Sequence, residues 1–393
     1  MRTQVAIVGA GPAGLMLSHL LALAGVDSVV LDMRERATIE STIRAGVLEH
    51  GTVDLMVQTG VGERVLREGH QHDGIELRFA GESHRIDLAG LTGRSVRLYP
   101  QHEVLKDLIA ARLAAGGDLR FGVADVALHD LTGDAPRVTF TDATGRPVEL
   151  LSDVVVGCDG SGGVSKWAIP QSERRDHFRA YPFGWFGILV EAPRSSEELI
   201  YAHSPRGFAL ISTRTEQVQR MYFQCDPQEK ADDWSDEQIW AELHARVGGN
   251  GFSLREGRIF EKSVIPMRSY VCEPLQHGRL FLAGDAAHTV PPTGAKGLNL
   301  AIADIRVLAQ ALEAFFATGD PGLLDRYSET ALRRVWRAQH FSWWMTSMLH
   351  ISADATSFDV RRQIGELDLV TSSTAASTYL AQAYVGWPQD ATG

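Results

Sequence analysis

A glycine-rich turn set between a strand and a helix constrains the first third of this chain more than any other feature. Val5-Ala6-Ile7-Val8 is wholly apolar and runs straight into Gly9-Ala10-Gly11-Pro12-Ala13-Gly14. Leu15, Leu17, Leu20, Leu21 and Leu23 then write a helical repeat, and a second apolar run, Ser28 to Leu31, ends at Asp32. Gly9, Gly11, Ala13 and Gly14 permit a tight turn, close approach of a pyrophosphate and close helix–strand packing. The helix N-terminus faces the phosphates, and Asp32 is spaced to accept from a ribose hydroxyl. A GxGxxG string alone is weak evidence. In this context it predicts a βαβ dinucleotide-binding unit and an α/β fold.

A second such crossing lies far downstream, from Gly284-Asp285-Ala286-Ala287-His288 to Gly297-Leu298-Asn299. An apolar strand, Arg279 to Ala283, precedes it, and a helical pattern starts near Leu298. Backbone N–H groups there can meet an anion while Asp285 accepts from a sugar hydroxyl.

At 393 residues the chain is long for one core, so two joined domains are expected. A net charge of −11 argues against nucleic acid or an anionic membrane as partner. Cys158, Cys225 and Cys272 are scattered and odd in number, without CxxC, which signals neither disulfides nor zinc and fits a reducing cytoplasm. The first strand begins almost at once, leaving no room for a signal peptide, and Ser18 and His19 interrupt the longest early apolar stretch.

Residues 1–72, 97–180 and 266–320 read as a discontinuous dinucleotide domain. A helix is expected from Gln101 to about Ala115, and a buried parallel strand from Leu151 to Val156, ending at Gly157-Cys158-Asp159-Gly160. Residues 73–96 and 181–265 read as an inserted antiparallel-sheet domain. Its strands are expected at Phe183–Glu191, Leu199–His203, Phe208–Arg214, Val218–Cys225 and Arg258–Ile265, with a helix capped by the Ser235/Gln238 box. The C-terminal region, 321–393, reads as helical, with helices at Gly322–Ile351 and Val360–Tyr384.

Gly9–Gly14, Cys158-Asp159-Gly160 and Gly284–Asn299, in this order, resemble the three signature segments of the single-component FAD-dependent aromatic hydroxylases. Arg44–Glu49, Tyr201–Arg214, Gly284–Asn299 and Phe341–Ser347 bring the resemblance closest to members acting on 4-hydroxybenzoate, and it runs end to end. It implies bound FAD, with NADH or NADPH and O2 as co-substrates. Arg44 would contact the pyrophosphate, Gln101 would lie near the flavin, and Asp285 would bind the ribityl chain. Leu298 and Asn299 would approach the isoalloxazine, and Thr42, Ala45, Gly46, Val47, Asp159 and Gly297 complete the implied cofactor set. A homodimer is implied as well.

The sheet gives this set a second half. With a period of two, Ser212 and Arg214 share one face, as do Arg220 and Tyr222 on the next strand. A planar guanidinium offers two parallel donors to a carboxylate. On residues alone, the commoner reading makes Arg214 a structural ion pair and Tyr222 ordinary half-buried sheet. The resemblance implies that Ser212, Arg214 and Tyr222 bind an aromatic carboxylate while Arg220 supports the flavin.

A flavin C4a-hydroperoxide is an electrophile and needs an electron-rich ring, so a bound phenol must lose a proton whose usual pKa is about 10. By resemblance Tyr201 bonds the substrate hydroxyl, Tyr384 bonds Tyr201, the Pro292 carbonyl orients the ring, and a relay ends at His72. A tyrosine near a C-terminus is otherwise packing, and a loop histidine is otherwise solvated. Phe183, Trp185, Leu199 and Leu210 are available to exclude water. Trp343 and Trp344 are expected to pack.

No second complete βαβ signature exists for a nicotinamide, which must bind across the surface. Relatives best known for NADPH carry an aromatic residue, a histidine and an arginine where this chain has Ser161, Gly162 and Lys166. Arg268 matches its counterpart. Glu35 and Glu40 dilute Arg34 and Arg36, so NADH or dual use is expected. Thr42 stands where an arginine is common near the flavin. The reaction implied is hydroxylation of 4-hydroxybenzoate to 3,4-dihydroxybenzoate. Rival substrates are 4-aminobenzoate, 3-hydroxybenzoate and an already dihydroxylated ring; a non-hydroxylating flavin-binding redox module is the rival of another class.

Overall fold

Val5–Val8 sits inside a six-stranded sheet, between Ser28–Asp32 and Val154–Gly157. Asp118–Phe121 extends the sheet on one side, and Leu280–Leu282 followed by Gln276–His277 on the other. Every pairing is parallel except that of Gln276–His277 with Leu280–Leu282. The central strands are buried on both faces, as parallel strands covered by helices must be. This computed structural model describes residues 1–44 and 46–387; Ala45, expected to contact the cofactor, lies outside them.

The register decides where function goes. Val8 lies beside Leu31 and Gly157, and Gly157 lies beside Leu282. The turns that follow these strands, carrying Gly9, Asp32, Cys158-Asp159 and Asp285, therefore leave the sheet along one carboxyl edge, where open α/β sheets bind ligands. Gly9 is required there. Its φ is +109°, and a Cβ on it would stand 2.2 Å from the Cys158 carbonyl oxygen.

The second sheet has eight strands, in the order His288–Thr289, Arg258–Glu273, Arg175–Glu191, Val218–Cys225, Gly207–Thr215, Leu199–Ser204, Gly74–Phe79, Glu82–Asp87. All pairings are antiparallel except Leu199–Ala202 with Ile75–Arg78. Each expected strand is present, but two are longer. Arg175–Ala180 pairs with Arg268–Glu273, so the ribbon runs on through the boundaries drawn at 180/181 and 265/266. Exposed, charged residues in Arg175–Ala180 hid this extension from a reading based on apolar alternation.

Alternation along the sheet separates two cores. Trp185, Tyr201, Leu210 and Tyr222 pack with Met345, Leu380 and Tyr384 of the C-terminal helices. Phe186, Ile200, Ile211 and Met221 pack on the opposite face with Ile239, Trp240 and Leu243 of the helix Asp236–Val247. That helix has the expected capping box: Gln238 N–H donates to Ser235 Oγ, and Ser235 N–H donates to Gln238 Oε1.

The C-terminal helices are more divided than expected. Tyr327–Leu349 follows a separate turn, Gly322–Asp325, and the last segment splits into Ser357–Ser372 and Thr374–Val385. Ser373 adopts extended dihedrals within a Ser-Ser-Thr run, whose hydroxyls compete with the helical backbone for hydrogen bonds. Trp344 packs against Phe341 and Tyr379, whereas the Trp343 side chain is partly exposed. No helix among the described residues is long and apolar enough to cross a membrane.

Candidate active site

The carboxyl edge of the parallel sheet opens into a cavity of about 680 Å³. Gly9, Gly11, Ala13, Asp32, Arg34, Arg44, Gln101, Asp159, Asp285, Gly297 and Leu298 are among its lining residues. Gly11 is the N-cap of Pro12–Leu23 and supplies no side-chain cap, and a Cβ on it would meet nothing within 4 Å. Helix Gly297–Thr318 also begins at this cavity without a side-chain cap. Two sets of helix N–H groups thus face one elongated space, which suits the diphosphate of FAD. Gly14 does not line the cavity; its Cβ would lie 1.9 Å from the Gly9 carbonyl oxygen, so it sets how closely the helix seats.

Acids are distributed along this space. Asp32 accepts from Ala10 N–H at 2.7 Å and from Arg34 at N, Nε and Nη2, so Arg34 lies on Asp32. Asp159 accepts from the Ser165 N–H and hydroxyl through Oδ2, while its buried Oδ1 has no protein partner. Asp285 has surface exposed to the cleft but is walled by protein, and this enclosure raises its carboxyl above the usual range. His288, Arg44 and Arg268 act in the opposite sense.

Beneath Asp285 lies a pair that sequence reasoning missed. His288 Nε2 and the Gly284 N–H both bond Asp304 Oδ2, at 2.6 and 2.9 Å. Burial works against charge on His288, yet Asp304 holds the imidazole above its ordinary pKa. The signal was spacing: Asp304 is seven residues beyond Gly297, hence on one helical face with the cavity mouth.

Asn299 fastens the loop after Arg44. Its Oδ1 accepts from Glu49 N–H and Thr52 Oγ1, and its Nδ2 donates to the Val47 and Ala295 carbonyls. Gly46 is pressed against Tyr99, whose carbonyl oxygen would be 1.9 Å from an added Cβ. Thr42 caps the short helix Arg36–Ser41, its hydroxyl on the Thr38 carbonyl. The buried Lys296 ammonium bonds Glu49 at 2.6 Å and the Tyr384 carbonyl at 3.1 Å.

The antiparallel sheet and the last helix carry a second set of candidate residues, outside the lining of that cavity. Tyr201 and Tyr384 hydroxyls are 2.7 Å apart, with both side chains buried. Burial raises the Tyr201 phenol to about 12, against the bond to Tyr384, and burial and Tyr201 push Tyr384 well upward. Ser212 Oγ donates to the Arg220 carbonyl at 2.8 Å across the strand pair. Arg220 Nε donates to Tyr222 Oη at 3.1 Å and Nη1 to Glu261 at 2.7 Å. Arg214 sits at a bulge between Thr213 and Thr215, bonds the Thr213 carbonyl at 3.3 Å, and keeps its buried Nε without a partner. Among the described residues no carboxylate pairs with it. Burial lowers its pKa, with Tyr222 opposing and Arg220 reinforcing that shift. A desolvated guanidinium without an anion is a ready carboxylate receptor.

Pro292 lies in the turn Pro292–Gly294, its carbonyl accepting from Ala295 N–H at 2.9 Å. His72 is buried in a small sheet beside Val96, its Nδ1 has no partner, and no hydrogen bond joins it to Tyr384 among the described residues. Burial lowers its pKa to about 4, away from neutrality. Arg268 is exposed and bonds Ser161 Oγ at 2.8 Å. Lys166 is buried, its ammonium on the Ser161 carbonyl and 4.8 Å from the Tyr270 ring centre.

A family model described as "FAD binding domain" matches residues 2–342. A p-hydroxybenzoate hydroxylase of Acinetobacter baylyi is 45% identical over 99% of this chain and 96% of that protein. A 12-dehydrotetracycline 5-monooxygenase/anhydrotetracycline 6-monooxygenase of Streptomyces rimosus is 30% identical over 83% of this chain, which spans 66% of that protein. The crystal structure of a p-nitrophenol 4-monooxygenase from Pseudomonas putida shares the fold, with a TM-score of 0.81 over 98% of this chain and 99% of that one at 19% identity. With the cofactor domain matched and the identity running from end to end, the chain belongs to the FAD-dependent aromatic hydroxylases of the p-hydroxybenzoate hydroxylase family.

Proposed function

We propose that this chain hydroxylates 4-hydroxybenzoate to 3,4-dihydroxybenzoate, consuming O2 and NADH or NADPH. One observation carries the substrate reading. Tyr201, bonded to the buried Tyr384 hydroxyl of the last helix, and the half-buried Arg214, whose buried Nε has no partner, stand on neighbouring strands of one sheet, matching a molecule with a phenol at one end and a carboxylate at the other.

FAD, held along the cavity lined by Gly9, Gly11, Asp32, Arg44 and Asp285, would supply the redox chemistry that couples nicotinamide oxidation to oxygen activation. Arg214 holds the carboxylate, with Ser212 and Tyr222 completing its hydrogen bonds. Tyr201 receives the phenolic hydroxyl and shares its proton with Tyr384, which enriches the ring in electrons at the moment of transfer. Before that proton moves, the second lone pair of the Pro292 carbonyl accepts its hydrogen bond and orients the hydroxyl; His72, buried and, among the described residues, without a hydrogen bond to Tyr384, does not extend the pair as a relay. Phe183, Trp185, Leu199 and Leu210, all buried, exclude water.

The nicotinamide is assigned to Arg34, Lys166 and Arg268. Arg34 is bonded to Asp32, Arg36 to Glu40 at 2.7 Å, and Lys166 is buried, so little free positive charge awaits a 2′-phosphate. NADH is the favoured donor on this account. The enzyme is further proposed to be a cytoplasmic homodimer.

Stopped-flow flavin reduction with NADH and with NADPH, with and without 4-hydroxybenzoate, tests this reading. Acceleration by the aromatic acid is the expected result. If 4-hydroxybenzoate accelerates reduction by neither nucleotide, the substrate is wrong.

A further inference from the structure

His350 closes helix Tyr327–Leu349 and is used by nothing in the mechanism above, yet both its ring nitrogens are engaged in the interior. Nδ1 lies 3.0 Å from the Thr346 carbonyl oxygen, which can only accept, so Nδ1 carries a proton. Nε2 lies 2.7 Å from Trp185 Nε1, an indole nitrogen that can only donate, so Nε2 is a bare lone pair. One neutral tautomer satisfies both bonds, and an imidazolium would set N–H against N–H. Burial accordingly lowers its pKa to about 3.

The imidazole is also stacked on Phe208 at 4.3 Å and on Phe183 at 4.7 Å. Its hydrogen-bonded partner Trp185 lies 4.8 Å from the ring of Tyr222, at the carboxylate end of the pocket. One helical turn earlier, Thr346 reaches the opposite end. Its hydroxyl proton is shared between the Ser342 carbonyl at 2.7 Å and Thr293 Oγ1 at 2.9 Å, Thr346 donating to both. Thr293 is the residue after Pro292.

We propose that His350 is a positioning residue which, together with Thr346, sets the length of the aromatic-acid pocket. One helix end holds Trp185, and through it Tyr222, at the carboxylate end; the same end holds the Pro292–Thr293 turn at the hydroxyl end. Substrate length is thereby measured against a single rigid ruler. The inference rests on the substrate reading above and adds to it a basis for rejecting acids one methylene longer.

The test measures, on the FAD-loaded protein, dissociation constants for 4-hydroxybenzoate and 4-hydroxyphenylacetate, and separately the FAD affinity of each apoprotein. For His350→Leu, 4-hydroxybenzoate binding is expected to weaken tenfold or more and discrimination against the longer acid to narrow, with FAD affinity within twofold of wild type. His350→Gln keeps an acceptor for the indole N–H and is expected to recover most of the loss. If His350→Leu does not fold, His350→Met fills more of the volume without that acceptor and carries the same expectation. Unchanged discrimination, or a loss of FAD affinity in step with substrate affinity, overturns the proposal while leaving the substrate reading intact. A wild-type protein that does not bind 4-hydroxybenzoate overturns both.

Discussion

Asp304 lies under the Gly284–Asp285 turn and accepts from His288 at 2.6 Å, with both side chains almost wholly buried. Its Oδ2 also takes the Gly284 N–H, so one carboxylate oxygen ties the helix Gly297–Thr318 to the strand end that carries Asp285. Removing it leaves a buried imidazole and a backbone N–H unpaired. Asp304→Ala is therefore expected to weaken FAD binding to apoprotein by tenfold or more, read by quenching of flavin fluorescence. Asp304→Asn retains an oxygen for Gly284 and is expected to fall between Ala and wild type. Equal affinity in all three would remove the positioning role.

Tyr201→Phe keeps the ring and deletes the hydroxyl proposed to receive the substrate phenol. Affinity for 4-hydroxybenzoate is expected to change no more than about tenfold, the scale of one neutral hydrogen bond. Turnover is expected to divert to hydrogen peroxide. Comparing 3,4-dihydroxybenzoate formed with NADH consumed decides the matter, and full coupling in the variant would contradict the proton-sharing role.

Arg214→Gln removes the half-buried cation proposed to face the carboxylate. Charge-assisted hydrogen bonds are worth about 1.5–3 kcal/mol, so substrate affinity is expected to drop roughly ten- to hundredfold or more. FAD affinity should hold, because Arg214 is absent from the residues lining the cofactor cavity. Titration of the flavin spectrum with substrate reads both. Arg214→Lys, lacking the planar fork, is expected to restore only part of the loss.

His72 and His350 are buried neutral, with pKa values near 4 and 3 against an ordinary value of 6.5. Between those limits the unfolded chain binds protons that the folded chain refuses. Their contribution to stability is complete above about pH 6.5 and is lost as pH falls through that window, by about 1.4 kcal/mol per pH unit for each histidine. Thermal unfolding from pH 7 to pH 4 should therefore steepen in wild type relative to His350→Gln. Parallel curves would mean that His350 does not carry the effect.

The expected elements rested on local pattern, and that is where they held. Gly9–Gly14 needed only its flanking apolar runs to declare a strand, a turn and a helix, and alternation from Leu199 to Cys225 declared the sheet. The Ser373 break escaped because residues on both sides have helical periodicity and the disruption comes from a short hydroxyl run. The Arg34–Asp32 and His350–Trp185 bonds escaped for different reasons. Arg34 is close in sequence, but its choice between an internal acid and an external phosphate is a competition that spacing does not settle. Trp185 and His350 are 165 residues apart, and no local signal joins them.

Leu280–Leu282 closes one side of Val154–Gly157, whose other neighbour, Val5–Val8, is made long before it. The cofactor cavity takes its lining from Gly9 and, far downstream, from Asp285, Gly297 and Leu298. A polypeptide leaving the ribosome thus carries its glycine turn through most of synthesis without the wall that makes it a receptor. FAD capture is consequently a late event, open only to chains that have passed Leu298. Scarcity of flavin would accumulate full-length apoprotein rather than stalled early fragments.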